Sequence, residues 1–454
     1  MELPKFSISQ KPTYIKFAED IDFFALFQAI EQKFETCFLF ESLGEEGKFS
    51  RYSVIGFNPE HTVSARGNTL YIDGKAYPVE NPYHALRKIM PRETLAKDYA
   101  GGLVGYLSYE AMQYFEPSLH IKVHPLFDPF LFGVYTDGLI FDKVTNEIFY
   151  FYYNNDRSVV LDMYRDAINR VSTKAQPLQI KFIKDTLTKK EYIEIVKRVK
   201  EQIRMGNTFQ CEVGFKTEYT ISGSAVLVYE RLRKANPSPF MYYVKFGDKK
   251  LLGASPELLF SLRNGEMTTK PLAGTIRRGK NEQEDQQLAR ILLHDPKEIA
   301  EHVMLVDMHR NDMGRVSRFG TVKVKNLMDI KRFSHVQHIS SEVVGLIRPE
   351  QDMFSALASN FPMGTLCGVP KIETMKIIEA NEPEARGPYT GGVGHFGFNG
   401  DCTFTGVLRS LFIAGEYAYA QTCAGIVYDS DPEKEYEEVQ MKLAPMKEVL
   451  ESVN

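Results

Sequence analysis

Asp431-Pro432 opens a run in which Glu435, Glu438 and Lys442 follow at steps of three and four residues. On a helix that spacing places two carboxylates and an ammonium on one face. A second segment repeats the plan, with Glu298 and Glu301 following Asp295-Pro296. In both, aspartate is the expected N-cap and proline the first helical residue, where its missing N–H is not needed. Two acidic pairs on two helices suit a hard, oxygen-preferring cation. Magnesium takes one or two protein carboxylates, keeps several waters and leaves places for substrate oxygens. Glu301 and Glu438 are the expected direct or water-mediated ligands, with Glu298 and Glu435 in support. Taken alone, either set also reads as a solvated helix face with an ion pair, and Glu298 as the capping-box partner of Asp295.

A substrate that is itself a carboxylate would complete such a shell and would want cationic and hydroxyl partners. Arg409, Tyr389, Lys371 and Lys442 lie on glycine-bounded segments, and a guanidinium suits bidentate carboxylate binding. Singly, each is equally an ordinary surface residue. Gly425, ahead of the Asp429-Ser430-Asp431 turn, lets backbone approach a ligand closely. His338 is a candidate acid–base group because an unperturbed imidazole titrates near neutrality, although a lone histidine also serves structure.

The elements that must carry these groups are those of a globular chain. Its 454 residues are 43% hydrophobic and 25% charged, enough for two or three domains or one large catalytic body. A net charge of −4 leaves no basic footprint for nucleic acid. No apolar run is long enough to span a membrane, and Met1-Glu2-Leu3-Pro4-Lys5 lacks a signal-peptide pattern. Five cysteines with no CxxC pair point to a reducing cytoplasm without a zinc knuckle or disulfide frame. Tryptophan is absent beside 31 Phe and 24 Tyr, by chance or because the protein is needed when tryptophan is scarce.

In order, Ile21 to Phe34 has helical periodicity, and Thr36 to Ser42 and Arg51 to Gly56 read as neighbouring strands. Gly67 to Tyr77 reads as a hairpin turning at Asp73-Gly74. Further strands are expected at 101–109, 130–141 and 148–153. Ser172 to Lys184, broken around Pro177, is the best linker, dividing an N-terminal region (1–172) from a catalytic region (173–454). Thr188 and Glu191 form a capping box for a helix ending at Gly206. Strands follow at 207–219 and after the Asn236 to Pro239 loop; Leu251 to Phe260 places Gly253 and Glu257 around a Ser-Pro break, and 270–275 reads as a strand end or turn.

As a set, these segments resemble a known family. ASPE (254–257), PLAGTIRRG (271–279), DPKEIAEHVMLVD (295–307), HRNDMGRV (309–316), PMGTLCGVPK (362–371), RGPYTGG (386–392) and AGIVYDSDPEKEYEE (424–438) stand in order. They are similar to the chorismate-utilising enzymes, and specifically to the large subunit (component I) of anthranilate synthase. The resemblance covers 187–445, and 15–150 more weakly. It implies an α/β (α+β) fold: a large antiparallel, sandwich-like catalytic body with helices outside and the cleft between its sheets. It implies a lyase turning chorismate and ammonia into anthranilate and pyruvate with Mg2+, in tryptophan biosynthesis. Position by position, Glu301 and Glu438 match magnesium ligands, with Glu298 and Glu435 close by. Gly253, Ala254, Thr365, Tyr389, Arg409, the backbone at Cys423, Ala424 and Gly425, and Lys442 match positions that hold chorismate. Glu257 matches the acid that protonates the departing C4 hydroxyl, and His338 the histidine tied to pyruvate elimination. Glu257, His338, Thr365 and Lys371 form the expected catalytic set.

Two substrate-side positions set the subclass. Gln210 stands where water-using relatives carry an activating lysine, which favours an ammonia user. Ala273 stands where aminodeoxychorismate synthases often carry a nucleophilic lysine, so a covalent adduct is closed to this chain. Aminodeoxychorismate synthase and a non-catalytic tryptophan-binding homologue are the alternatives. FLFES (38–42) and NPSPFMYY (236–243) resemble the two segments of a tryptophan feedback pocket, with Glu41, Ser42, Pro239, Phe240 and Met241 touching the inhibitor. The family usually has AIRT where this chain has Val407-Leu408-Arg409-Ser410, and AGAG where it has Thr422-Cys423-Ala424-Gly425. No cysteine sits in a glutaminase-like elbow, so ammonia is expected from a separate glutamine amidotransferase subunit (component II).

Overall fold

A computed structural model of the chain describes residues 2–17, 21–44, 50–91, 94, 96, 98–153, 177–333 and 336–451. Among them, two twelve-stranded sheets form, and every strand pairing is antiparallel. The first sheet runs from Thr13–Lys16 through Thr36–Glu41, Phe240–Phe246, Lys249–Ser255, Ser410–Ala414 and Tyr417–Ile426 to Gln210–Ser222 and the edge strand Gln179–Asp185. The second runs from Leu272–Arg277 through Val336–Leu346, Leu258–Arg263, Cys402–Gly406, Gly392–Gly397 and Gly102–Leu107 to the Lys75–Pro78 edge. The hairpin expected at Asp73-Gly74 is present, with both turn residues at positive φ as a tight two-residue connection requires.

Both sheets draw strands from either side of residue 172: Met241 pairs with Glu41 in one, and Gly394 with Gly105 in the other. The 172/173 boundary itself lies outside the described residues. The second half of the expected linker is a strand, Gln179–Asp185, paired along Gln210–Ser222. Its exposed outer residues removed the hydrophobic alternation that would have marked it.

Two segments cross from sheet to sheet. Ser255-Pro256-Glu257 leads from Lys249–Ser255 into Leu258–Arg263, because proline cannot donate to a ladder and ends the first strand. Val407-Leu408-Arg409 leads back from Cys402–Gly406 to Ser410–Ala414. The crossings are tied together by Gly406 N donating to Glu257 O (3.2 Å) and Ala254 N to Arg409 O (3.3 Å). The two DP-capped helices, Pro296–Gly314 and Pro432–Glu451, form as their sequences dictate. Asp295 accepts from the Lys297 and Glu298 amides, and Asp431 from those of Glu433 and Lys434. Val439, Leu443, Met446 and Leu450 bury the inner face of the second helix. No described helix is long and apolar enough to cross a membrane.

Candidate active site

The helices deliver their acidic faces to one place. Burial, with the charges of Asp295 and Glu438 behind it, raises the Glu298 pKa. Burial and then the nearby charges of Glu212 and Glu298 push Glu301 up to about 7. Burial and Glu438 raise Glu435, while Lys297 opposes them. Glu438 pairs with Lys442 at 2.7 Å, and both side chains are nearly half exposed in the open cleft. Lys442 also donates to Cys423 O at 3.0 Å. Desolvation works against its charge, but Glu438 and Glu212 outweigh it and raise its pKa.

These groups fit a magnesium ion. Acidic side chains with raised pKa values are carboxylates short of positive charge.

Across the cleft, Glu257 is buried. Leu272 N and Thr365 Oγ1 both donate to its Oε1, at 3.1 and 3.0 Å. Burial nevertheless pushes its pKa up to about 8, so near neutrality it carries a proton to give. Arg409 sits beside it at a left-handed φ of 48°. Desolvation lowers the pKa of this guanidinium, and the neighbouring Glu257 opposes that shift. A desolvated guanidinium of this kind is a receptor for an anion.

His338 lies on Val336–Leu346 with Nδ1 3.0 Å from Gly274 O and 3.0 Å from Thr275 Oγ1. A carbonyl only accepts, so Nδ1 carries the hydrogen and Nε2 keeps a lone pair. Burial lowers its pKa to about 4. The imidazole is therefore held neutral near pH 7, its pKa below the range of an unperturbed histidine. Ser334 and His335 of its segment lie outside the described residues.

Tyr389 is buried and donates to Cys423 Sγ at 3.0 Å. Gly253 pairs with Ser410 beside Arg409, and a Cβ there would meet Ser410 Oγ at 2.4 Å and the Tyr242 hydroxyl at 2.5 Å. Ala254 and Ala424 are fully buried next to these groups. Gly425 faces Glu212 and Gln210, and a Cβ there would lie 2.5 Å from Glu212 Oε1.

Two expected residues are placed otherwise. Lys371, expected in the catalytic set, forms a buried ion pair with Asp312 at 2.7 Å, which commits its ammonium. Ala273, expected on the substrate side, packs its methyl with Leu305 and Met308.

Glu212 carries no local motif to flag it. It is 6% exposed on Gln210–Ser222 and accepts from Cys423 Sγ at 3.0 Å. The only sequence signal is alternation: Gln210, Glu212, Lys216 and Glu218 share one face of a strand whose other face is Cys211, Val213 and Phe215. Arg386, 1% exposed, donates to Glu212 O (2.7 Å), Leu366 O (3.1 Å) and the Glu382 carboxylate (2.7 Å). It thereby fixes the strand bearing Gln210 and Glu212 against the turn bearing Thr365.

A second cavity, of about 150 Å³, lies between the sheets. Glu41, Pro239, Phe240 and Met241 line it from the first sheet, with Arg263, Asp401 and Thr403 from the second. The Glu41 carboxylate is held by Arg233 at 2.7 Å and by the Tyr229 hydroxyl. Ser42 is buried nearby but is not part of the lining.

The sequence pattern of the family described as chorismate binding enzyme matches residues 35–448. The anthranilate synthase component 1 of Leptospira biflexa is 50% identical over 99% of this chain and 98% of its own. That of Methanothermobacter thermautotrophicus is 38% identical over 96% and 94%. The crystal structure of anthranilate synthase component I from Streptococcus pneumoniae superposes with a TM-score of 0.79 at 30% identity, covering 89% of this chain and 94% of the other.

Proposed function

Since the chain belongs to the anthranilate synthase component 1 family of chorismate-binding enzymes, we propose that it converts chorismate and ammonia to anthranilate and pyruvate. What supports this reading is the grouping of Glu257, held by Leu272 N and Thr365 Oγ1, with the Arg409 guanidinium beside it and the carboxylates of Glu212 and Glu301 nearby. That arrangement suits a dicarboxylate whose reaction expels hydroxide.

Glu301 and Glu438 would hold magnesium, with Glu298 and Glu435 behind them; when bound, the ion supplies Lewis-acid charge at the ring carboxylate. Arg409 and Tyr389 bind the second carboxylate, and turning to it costs the Tyr389 hydroxyl only a weak bond to sulfur. Glu257 gives its proton to the C4 hydroxyl, which leaves as water while ammonia bonds to C2. His338, neutral with its lone pair at Nε2, takes the C2 proton as the C3–O bond to the enolpyruvyl group breaks.

Ammonia comes from a separate glutaminase component. All five cysteines are buried, and burial raises the thiol pKa of each, which leaves no activated nucleophile of the kind a glutaminase needs. L-Tryptophan is the proposed inhibitor, in the cavity between the sheets. The test is incubation with chorismate, Mg2+ and an ammonium salt while following anthranilate fluorescence. Chorismate left unchanged would sink the reading.

A further inference from the structure

Glu212 is a buried carboxylate inside the cleft for which the reaction as derived has no use. Its Oε2 accepts from Cys423 Sγ (3.0 Å) and its Oε1 from Gln210 Nε2 (3.4 Å). Gln210 Nε2 also donates to Glu301 Oε1 at 3.1 Å. Two carboxylates fix which end of that amide is nitrogen. The other end, Gln210 Oε1, is then a buried acceptor with no partner among the described residues, on a side chain 2% exposed. Such an atom costs stability unless something donates to it.

Each Glu212 oxygen accepts a single bond and has further capacity. Glycine at 425 lets the backbone pass close to both head groups: a Cβ there would stand 2.5 Å from Glu212 Oε1 and 2.7 Å from Gln210 Nε2. Acceptors therefore cluster at this point, and the proton donor, Glu257, lies near Glu212. A ligand matching them is small and offers several N–H donors.

We propose that Glu212 is an ammonia-positioning residue: its carboxylate, together with Gln210 Oε1, accepts N–H bonds of the incoming ammonia and leaves the nitrogen lone pair facing the substrate ring. This rests on the proposed amination of chorismate and names where its second substrate binds. Glu212 reaches Tyr389 through Cys423 Sγ and Glu301 through Gln210 Nε2, one bond removed from the chorismate and magnesium groups, so loss of Glu212 falls first on ammonia binding.

Steady-state kinetics on the full-length chain with chorismate, Mg2+ and ammonium chloride test it. In Glu212→Val the KM for ammonium rises by about tenfold, the loss of one well-placed hydrogen-bonding group. The chorismate KM stays within about twofold and saturating ammonium restores most of kcat. Glu212→Gln, equal in size, keeps one acceptor and shows a smaller rise, of about threefold; it carries the test should the valine variant not fold. An unchanged ammonium KM in both variants overturns the proposal. So does a loss that appears in the chorismate KM, or in a kcat that ammonium does not restore. A wild-type protein that forms no anthranilate overturns the proposed function, and the subsite with it, before any variant is measured.

Discussion

Glu257 and His338 would divide the proton work of the proposed reaction because burial moves their pKa values in opposite directions along the pH scale. In the proposed reaction Glu257, with its pKa raised to about 8, would be the acid at pH 7 and His338, lowered to about 4, the base. The kcat/KM for chorismate should therefore fall as pH rises through about 8, where Glu257 ionises, and this alkaline limb should be lost from the residual activity of Glu257→Gln. That variant should lose about 10²–10⁴ of kcat with little change in the chorismate KM. An alkaline limb kept intact in the variant would reassign the acid. Stability carries the same signature. A carboxyl whose pKa is raised on folding keeps its proton where the unfolded chain has lost it, so its contribution declines as pH rises from about 4.5 to about 8. Glu257→Gln should thus be more stable than wild type at pH 8 by thermal melting, while much less active. Glu257 lies in the ASPE segment and His338 matches a family position, so both were legible in the sequence. Glu212 was not. Its neighbours read as one buried strand, and which face of a two-sided strand meets a cleft depends on the second sheet, which no local pattern contains.

At the scale of elements, aspartate and proline set where both acidic helices begin, so capping chemistry sets which turns meet the cleft. Asp431→Ala should cost about 1 kcal/mol of stability and raise the Mg2+ requirement, because fraying of the first turn moves Glu435 and Glu438. Full magnesium dependence with an unchanged midpoint would separate the cap from the site. Both helices were legible because their signals are local. Gln179–Asp185 was not, since an edge strand with polar outer positions has the composition of a linker. The clamp at Arg386 was equally hidden: the local motif shows an arginine before glycine, not that the fold buries it among Glu382, the Glu212 carbonyl and the Leu366 carbonyl. Removing one partner of a buried pair leaves the other charge uncompensated, so Arg386→Leu should lose about 3–5 kcal/mol in urea unfolding. Simultaneous Glu382→Leu should recover part of it. A cost below about 1 kcal/mol would mean the clamp does not hold the site together.

For the whole molecule, the sandwich plan puts the catalytic cleft and the second cavity between the same two sheets. Glu257 and Arg409 sit on the crossings that join those sheets, and the cavity takes Phe40, Phe240 and Met241 from one sheet and Arg263, Asp401 and Thr403 from the other. An amino acid lodged there would touch both sheets at once, its ring among Phe40, Tyr52 and Phe240 and its charged ends within reach of Arg263 and Asp401. Because the sheets are packed solids, a ligand that fixes their spacing in the cavity also fixes it at the crossings, which is the physical route by which tryptophan would slow the cleft. Binding to the folded state alone predicts stabilisation by about 2.7 kcal/mol at a hundredfold excess over Kd. L-Tryptophan should therefore raise the thermal midpoint of the wild-type protein. The increase should shrink in Phe240→Ala, which widens the cavity, and in Asp401→Asn, which removes the acidic partner of the ammonium. D-Tryptophan serves as the control for stereochemistry. If both enantiomers shift the midpoint equally, or if both variants respond as the wild type does, the cavity is not the regulatory site.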